Sequence, residues 1–162
     1  MQQTETTLPE IHLVGITART NLMNEMNPLT AKIGLTAQDY LHKNYAEKIQ
    51  NRKKPGTTYS VYTDYASDYR GDYTYFIGEE VTELKELPEG MTAITIPAQH
   101  YLKYTTFPGP MPQVCINAWQ HIWLTQQEEN AERLYEADFE IYDERAADPF
   151  LTVLDIYVGV KK

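Results

Sequence analysis

A single cysteine, Cys115, in 162 residues excludes an internal disulfide and any cysteine-based zinc site. No apolar run approaches the roughly 20 residues that a membrane-spanning helix requires. The polar N-terminal stretch, residues 1–10, lacks the apolar centre of a signal peptide. A cytoplasmic protein with no membrane partner is therefore expected. Basic charge is also scarce: 14 Lys and Arg stand against 23 Asp and Glu, for a net charge of −9. Nucleic-acid binding depends on Lys and Arg displacing counterions from phosphates. The nearest thing to a basic stripe is Arg52-Lys53-Lys54, so direct contact with nucleic acid is not expected. An acidic surface suits a cationic ligand or a basic protein partner.

Catalytic signatures are missing as well. The four histidines, His12, His42, His100 and His121, have no tight metal-ligand spacing. There is no Gly-x-Ser-x-Gly, no P-loop and no Gly-x-Gly-x-x-Gly. Neither a metal nor a cofactor is expected, and nucleophilic catalysis by Ser or Cys has no support. Cys115 reads as a small apolar residue on a helix.

Tyrosine, in contrast, is abundant: 13 residues against 4 Phe. Tyr is favoured where a ring must be buried while its hydroxyl reaches a partner or a wet cavity.

Periodicity divides the chain. Residues 1–9 read as a frayed lead-in and 11–19 as a strand. Residues 21–34 carry no clear motif. Thr36-Ala37-Gln38-Asp39 resembles a capping box, and Ala37, Tyr40, Leu41, Tyr45 and Ile49 recur at helical spacing up to the Lys54-Pro55-Gly56 stop. Residues 57–65 and 72–82 read as a hairpin. Residues 91–96 and 99–107 are β-like, with Pro97 between them. Val114, Cys115, Ala118, Trp119, Ile122 and Trp123 form one helical stripe, and 138–142 and 151–161 read as strands.

Both halves thus run strand, helix, strand, strand. Thr58-Tyr59-Ser60-Val61-Tyr62 echoes Asp138-Phe139-Glu140-Ile141-Tyr142, and Tyr75-Phe76-Ile77-Gly78 echoes the stretch from Asp155 to Gly159. The expected fold is α+β: two pseudo-symmetric βαββ repeats, 10–83 and 90–161, within one domain spanning 1–162. They form antiparallel sheet with helices on one side and a ligand cleft between the halves.

Glu140 is the most informative position. With a strand period of two, Phe139 and Ile141 should face the helix layer, and Glu140 and Tyr142 should face the cleft, as should Ser60 and Tyr62. A carboxylate among rings loses hydration, at a cost of several kcal/mol unless a partner compensates. A lipophilic cation could be that partner, with cation–π attraction of roughly 0.5–2 kcal/mol per ring. Tyr62, Tyr142, Tyr157, Trp119 and Phe107 are the candidate walls around Glu140.

The order Tyr75-Phe76-Ile77-Gly78-Glu79-Glu80-Val81, Ile96-Pro97-Ala98-Gln99-His100-Tyr101, Phe107-Pro108-Gly109, Ile122-Trp123-Leu124, Asp138-Phe139-Glu140-Ile141-Tyr142 and Asp155-Ile156-Tyr157-Val158 resembles the GyrI-like, or AraC-type, effector-binding domains. The likeness covers nearly all of residues 10–161. It implies a tandem βαββ fold with a central cleft, and it matches Glu140 to the family's pocket glutamate, which pairs with cationic drugs in multidrug-sensing members. Some members are fused to DNA-binding modules. Here only about ten polar residues precede the first strand, so the stand-alone, small-molecule-binding form is expected. Two further roles follow from the resemblance. One is a hydrolase of cyclopropane-bearing electrophiles, with Glu140 as general base or electrostatic stabiliser and Tyr62 or Tyr142 as proton donor. The other is an interaction protein that meets gyrase or a separate regulator.

Overall fold

The computed structural model describes residues 1–129 and 132–162. The chain runs β1 (Gln2–Leu8), β2 (Ile11–Thr20), α1 (Leu22–Met26), α2 (Ile33–His42), α3 (Tyr45–Lys48), β3 (Thr58–Thr63), β4 (Tyr73–Glu80), β5 (Thr92–Ile96), β6 (Gln99–Thr105), α4 (Gln113–Glu129), β7 (Ala137–Tyr142) and β8 (Asp155–Gly159). The eight strands form one antiparallel sheet in the order β1-β6-β8-β7-β3-β4-β2-β5. The fold is α+β with its helices on one side.

Residues 1–9 are not a frayed lead-in: Gln2 to Leu8 pair continuously with β6. Threonines at positions 4, 6 and 7 favour extended backbone. As an edge strand, β1 keeps its polar side chains in water, so it shows no apolar alternation. The pairing continues without a change of register from Leu8 opposite Gln99 to Ile11 opposite Ile96. Strands β1–β2 and β5–β6 are therefore one long two-stranded ribbon, interrupted only at Pro9 and Pro97, which cannot donate to the ladder. One end of the ribbon borders each side of the sheet, so its bend draws the two sides together around a core.

That core holds Leu13, Val61, Phe76, Ile96, Tyr101 and Phe139, each at most 1% exposed. Among the described residues, no helix side chain belongs to that cluster. The helices cover the opposite face: Tyr40 of α2 lies with Val14, Ile16 and Ile77, and Ala118 and Ile122 of α4 lie with Leu102, Tyr104 and Ile156. The expectation that Phe139 and Ile141 face the helices is thus reversed. Strand alternation was read correctly, but two apolar layers were available, and the sequence did not distinguish the one closed by the ribbon from the one under the helices.

The expected helix through Ile49 is broken. Asn44, in the left-handed region at φ 53°, separates α2 from α3; Asn tolerates that conformation better than most residues. Helix α2 begins at Ile33 rather than at Thr36. Its first free N–H groups, those of Lys32 and Ile33, bind the Glu25 carboxylate. Thr36 instead donates its hydroxyl to the Lys32 carbonyl.

The halves meet edge to edge along β3 and β7, not face to face. Ser60 stands opposite Glu140, flanked by Tyr59 opposite Ile141 and Val61 opposite Phe139. A half-turn through the Ser60–Glu140 pair exchanges the two flanking pairs. The same operation relates Gly15 opposite Gly78 to Lys103 opposite Tyr157. Gly78 therefore corresponds to Tyr157, not to Gly159 as the sequence echo implied. At Gly15 and Gly78 the backbones of β2 and β4 approach closely: a Cβ on Gly15 would lie 2.0 Å from the Ile77 carbonyl oxygen. Among the described residues no helix is long and apolar enough to cross a membrane, and no group of three or more His, Cys, Asp or Glu is placed to hold a metal.

Candidate ligand site

Glu140 lies at the pseudo-two-fold seam on the helix-bearing face and is 1% exposed. Its carboxylate is enclosed by neutral donors. The Tyr62 hydroxyl and the Trp119 Nε1–H each donate to Oε2 at 2.8 Å, and the Tyr142 hydroxyl donates to Oε1 at 2.7 Å. An ionised carboxylate has the acceptor capacity to meet all three donors. Among the described residues, no Lys, Arg or His forms an ion pair with it.

The donors come from three elements for local reasons. Tyr62 and Tyr142 sit two residues beyond Ser60 and Glu140 on β3 and β7, so strand alternation puts all four on one face. The half-turn that exchanges Ser60 and Glu140 also exchanges these two tyrosines. Each half thus supplies one hydroxyl, to a different oxygen of a single carboxylate. Trp119 comes from the inner stripe of α4, where Ala118 and Ile122 pack on the sheet.

Rings extend outward from this centre. Tyr62 meets Trp119 edge-on at 5.7 Å, Tyr75 at 5.7 Å and Tyr73 at 6.1 Å. Trp123 lies 6.3 Å from Trp119 and is 47% exposed. Ser60 Oγ and the Tyr75 hydroxyl are hydrogen-bonded at 3.0 Å. Burial, and after it the Glu140 anion, push the Tyr62 and Tyr142 hydroxyls well above the usual phenol range, so both remain protonated donors. Cys115 Sγ lies 3.9 Å from the Tyr142 hydroxyl, and burial, then Glu140, raise its thiol too. A thiol so held is not a nucleophile.

The structure brings Glu140, Tyr62, Tyr142 and Trp119 together. It leaves out two residues that the sequence suggested. Tyr157 pairs across the ladder with Phe139, stacks on it at 4.8 Å and lies in the ribbon-enclosed core, on the face away from Glu140. The error was one of parity: Tyr157 neighbours Ile156, the residue that stands opposite Glu140. Phe107 lies in the loop before α4 and is 73% exposed, so it walls nothing. Tyr73 and Tyr75 were missed as neighbours of the site, although their two-residue spacing on β4 could have indicated them. Two hollows, of about 380 and 300 Å³, lie elsewhere, one bordered by His100 and Lys161 and the other by Leu35 and His42.

A second buried acid adjoins the site. Asp138, 0% exposed, accepts from Arg133 Nη2 at 2.6 Å, the Tyr65 hydroxyl at 2.5 Å and the Gly159 N–H at 2.8 Å. Unlike Glu140, it has its own cation.

Comparison with known proteins places this geometry. The family Cass2, described as integron-associated effector binding protein, matches residues 6–160. The chain is 29% identical over 116 residues to YobU of Bacillus subtilis (strain 168), covering 70% of each. An integron cassette protein from the mobile metagenome of Vibrio cholerae superposes with a TM-score of 0.79 at 26% identity, over 98% of this chain and 95% of that one. SAV2435, whose structure was solved bound to tetraphenylphosphonium, superposes with a TM-score of 0.77 over 99% of this chain and 94% of its own. At 15% identity that last likeness is one of fold.

Proposed function

The chain belongs to the family of integron-associated effector binding proteins, which makes small-molecule binding its role, and we propose that its effectors are lipophilic cations anchored by Glu140. The observation that supports this most directly is a carboxylate 1% exposed with three neutral donors and, among the described residues, no cation. Removing a carboxylate from water costs several kcal/mol, and neutral donors return only part of it. A cation that reaches Glu140 returns more, and the rings of Tyr62, Tyr142 and Trp119 each add about 0.5–2 kcal/mol of cation–π attraction. A neutral lipophile would meet the same rings without that gain.

Access requires movement. Tyr62 and Trp119 share Oε2, so a cation contacting that oxygen displaces one of them. Trp119 sits on α4 with the half-exposed Trp123 beside it, and both would report the change. SAV2435, which shares the fold and was captured with tetraphenylphosphonium, offers a probe of the right chemistry.

The test is a titration of tryptophan fluorescence with tetraphenylphosphonium and, as a neutral analogue, triphenylphosphine oxide. The expected result is saturable binding of the cation, weakened at least about tenfold in Glu140→Gln, with little response to the oxide. Equal affinity of wild type and Glu140→Gln for the cation would remove the anchor.

A further inference from the structure

The acids on the sheet's helix-bearing face and beside it differ in their partners. Asp138 and Glu79 have guanidinium partners, Arg133 at 2.6 Å and Arg52 at 3.3 Å. Among the described residues, Glu140 and Glu25 have no ion pair. Glu25 belongs to the part of the chain that breaks the internal symmetry. The connection from β2 to α2 runs from Thr20 to Ile33 and carries α1, whereas the connection from β6 to α4 runs only from Thr105 to Gln113.

The Glu25 carboxylate is firmly placed. It accepts from the Thr20 hydroxyl at 2.5 Å and from the backbone N–H groups of Lys32 and Ile33 at 2.9 and 3.2 Å. Thr20 stands opposite Tyr73 in the β2–β4 ladder, Tyr73 lies 6.1 Å from Tyr62, and Tyr62 donates to Glu140. The two unpaired acids thus lie at opposite ends of a tyrosine cluster. Electrostatics agree. Burial, and after it Glu25, push the Tyr73 hydroxyl up to about 12. The Tyr75 hydroxyl, raised mainly by burial and lowered in part by Ser60, is raised further by Glu140 and by Glu25. Nearby cations are committed elsewhere: Lys32 Nζ donates to the Arg19 carbonyl at 2.8 Å, and the Arg19 guanidinium binds Asp64 and Thr74. The helix that carries Glu25 also exposes Met23 and Met26, at 82% and 76%; flexible thioethers adapt to varied lipophilic surfaces.

We infer that Glu25 is a second charge anchor of the same site, and that the preferred effectors are elongated aromatic dications with one cationic end at Glu140 and the other at Glu25. This rests on the Glu140 reading above and goes beyond it by naming the charge and shape of the ligand. The neutral rings between the acids supply a stacking surface for the linker.

The experiment compares wild type, Glu25→Gln and Glu140→Gln by calorimetry, with tetraphenylphosphonium as the single charge and pentamidine as the aromatic bis-amidinium. Glu25→Gln removes the charge and keeps one acceptor oxygen, which can serve the Lys32 amide and the Thr20 hydroxyl that share Oε2, while the Ile33 amide loses its partner Oε1. It should weaken pentamidine about five- to tenfold, the scale of one partly exposed charge pair, and tetraphenylphosphonium less than about twofold. Glu140→Gln should weaken both. If Glu25→Gln affects the two ligands equally, or neither, while Glu140→Gln still weakens tetraphenylphosphonium, the second anchor is overturned and the first stands. If Glu140→Gln leaves tetraphenylphosphonium binding unchanged, both fall. Should Glu25→Gln fail to fold, salt dependence in wild type decides: pentamidine affinity must fall about twice as steeply with ionic strength as that of tetraphenylphosphonium, and equal slopes refute the dication site.

Discussion

Replacing Tyr62 by Phe removes one hydroxyl and almost no volume, so its effect isolates a hydrogen bond. In wild type that hydroxyl donates to Glu140 Oε2 at 2.8 Å, beside the Trp119 Nε1–H at the same distance. The ring contacts with Trp119, Tyr75 and Tyr73 do not depend on the hydroxyl. A hydrogen bond to a charged acceptor is worth about 1.5–3 kcal/mol. Oε2 keeps one donor, so no orphaned charge adds to the loss. The expected destabilisation is therefore about 1.5–3 kcal/mol, or a fall in Tm of about 3–12 °C for a domain of this size. Tyr142→Phe should cost more, because Oε1 loses the hydroxyl at 2.7 Å while both donors to Oε2 remain engaged. Urea unfolding followed by far-ultraviolet circular dichroism gives both values on one scale. If Tyr62→Phe unfolds within about 0.5 kcal/mol of wild type, the carboxylate is being solvated by something other than its tyrosines, and the account of an enclosed anion awaiting a cation fails.

Two further outcomes follow from the buried charges. Arg133→Met leaves Asp138, which is 0% exposed, without its cation; the Tyr65 and Gly159 donors remain, so the loss should fall near the lower end of the 3–5 kcal/mol typical of a broken buried pair, about 3 kcal/mol by urea unfolding, and a loss under about 1 kcal/mol would contradict a buried ionic link. Burial raises the Glu79 carboxyl, against the lowering effect of Arg52, so the folded state holds that proton more tightly than the unfolded chain; its contribution is full below the unfolded carboxyl value and is lost as pH rises through the folded one, so as pH rises above the ordinary carboxylate range the urea midpoint of wild type should fall relative to that of Glu79→Gln, and parallel curves would refute the shift.

Much of this was legible in the sequence because the physics involved is local. Alternation in Asp138-Phe139-Glu140-Ile141-Tyr142 correctly grouped Glu140 with Tyr142, and the matching alternation grouped Ser60 with Tyr62. The apolar stripe of α4 placed Trp119 on an inner face. What alternation cannot give is which face meets which layer. That depends on the ribbon formed by β1–β2 and β5–β6, whose paired residues lie from 77 positions apart, at Gly15 and Thr92, to 103 apart, at Gln2 and Thr105. Strand β1 was invisible because Gln2-Gln3-Thr4-Glu5-Thr6-Thr7-Leu8 has no buried face to mark it. Tyr157 was assigned to the site because a one-residue slip in parity moves a side chain through the sheet. The role of Glu25 was hidden for a different reason. It stands on a segment without periodicity and reaches the sheet only through Thr20 and the start of α2.

The pseudo-symmetry also explains why the site carries one central acid and not two. The half-turn places Ser60 and Glu140 directly opposite each other. Glutamates at both positions would hold two carboxylates about 5 Å apart on one face of the ladder. Out of water, charges of like sign at that separation cannot both ionise near neutral pH, and the pair would share a proton. Serine at position 60 avoids that conflict and bonds the Tyr75 hydroxyl instead. The tyrosines face no such conflict: Tyr62 and Tyr142 are neutral, and as a symmetric pair they grip the two oxygens of one carboxylate from opposite sides. The duplicated scaffold therefore keeps its symmetry where the groups are neutral donors and breaks it where a second acid could not ionise beside the first. On the proposed reading, a cation would meet a single central acid already held in place, with the strands of both halves fixing the hydroxyls that yield to it.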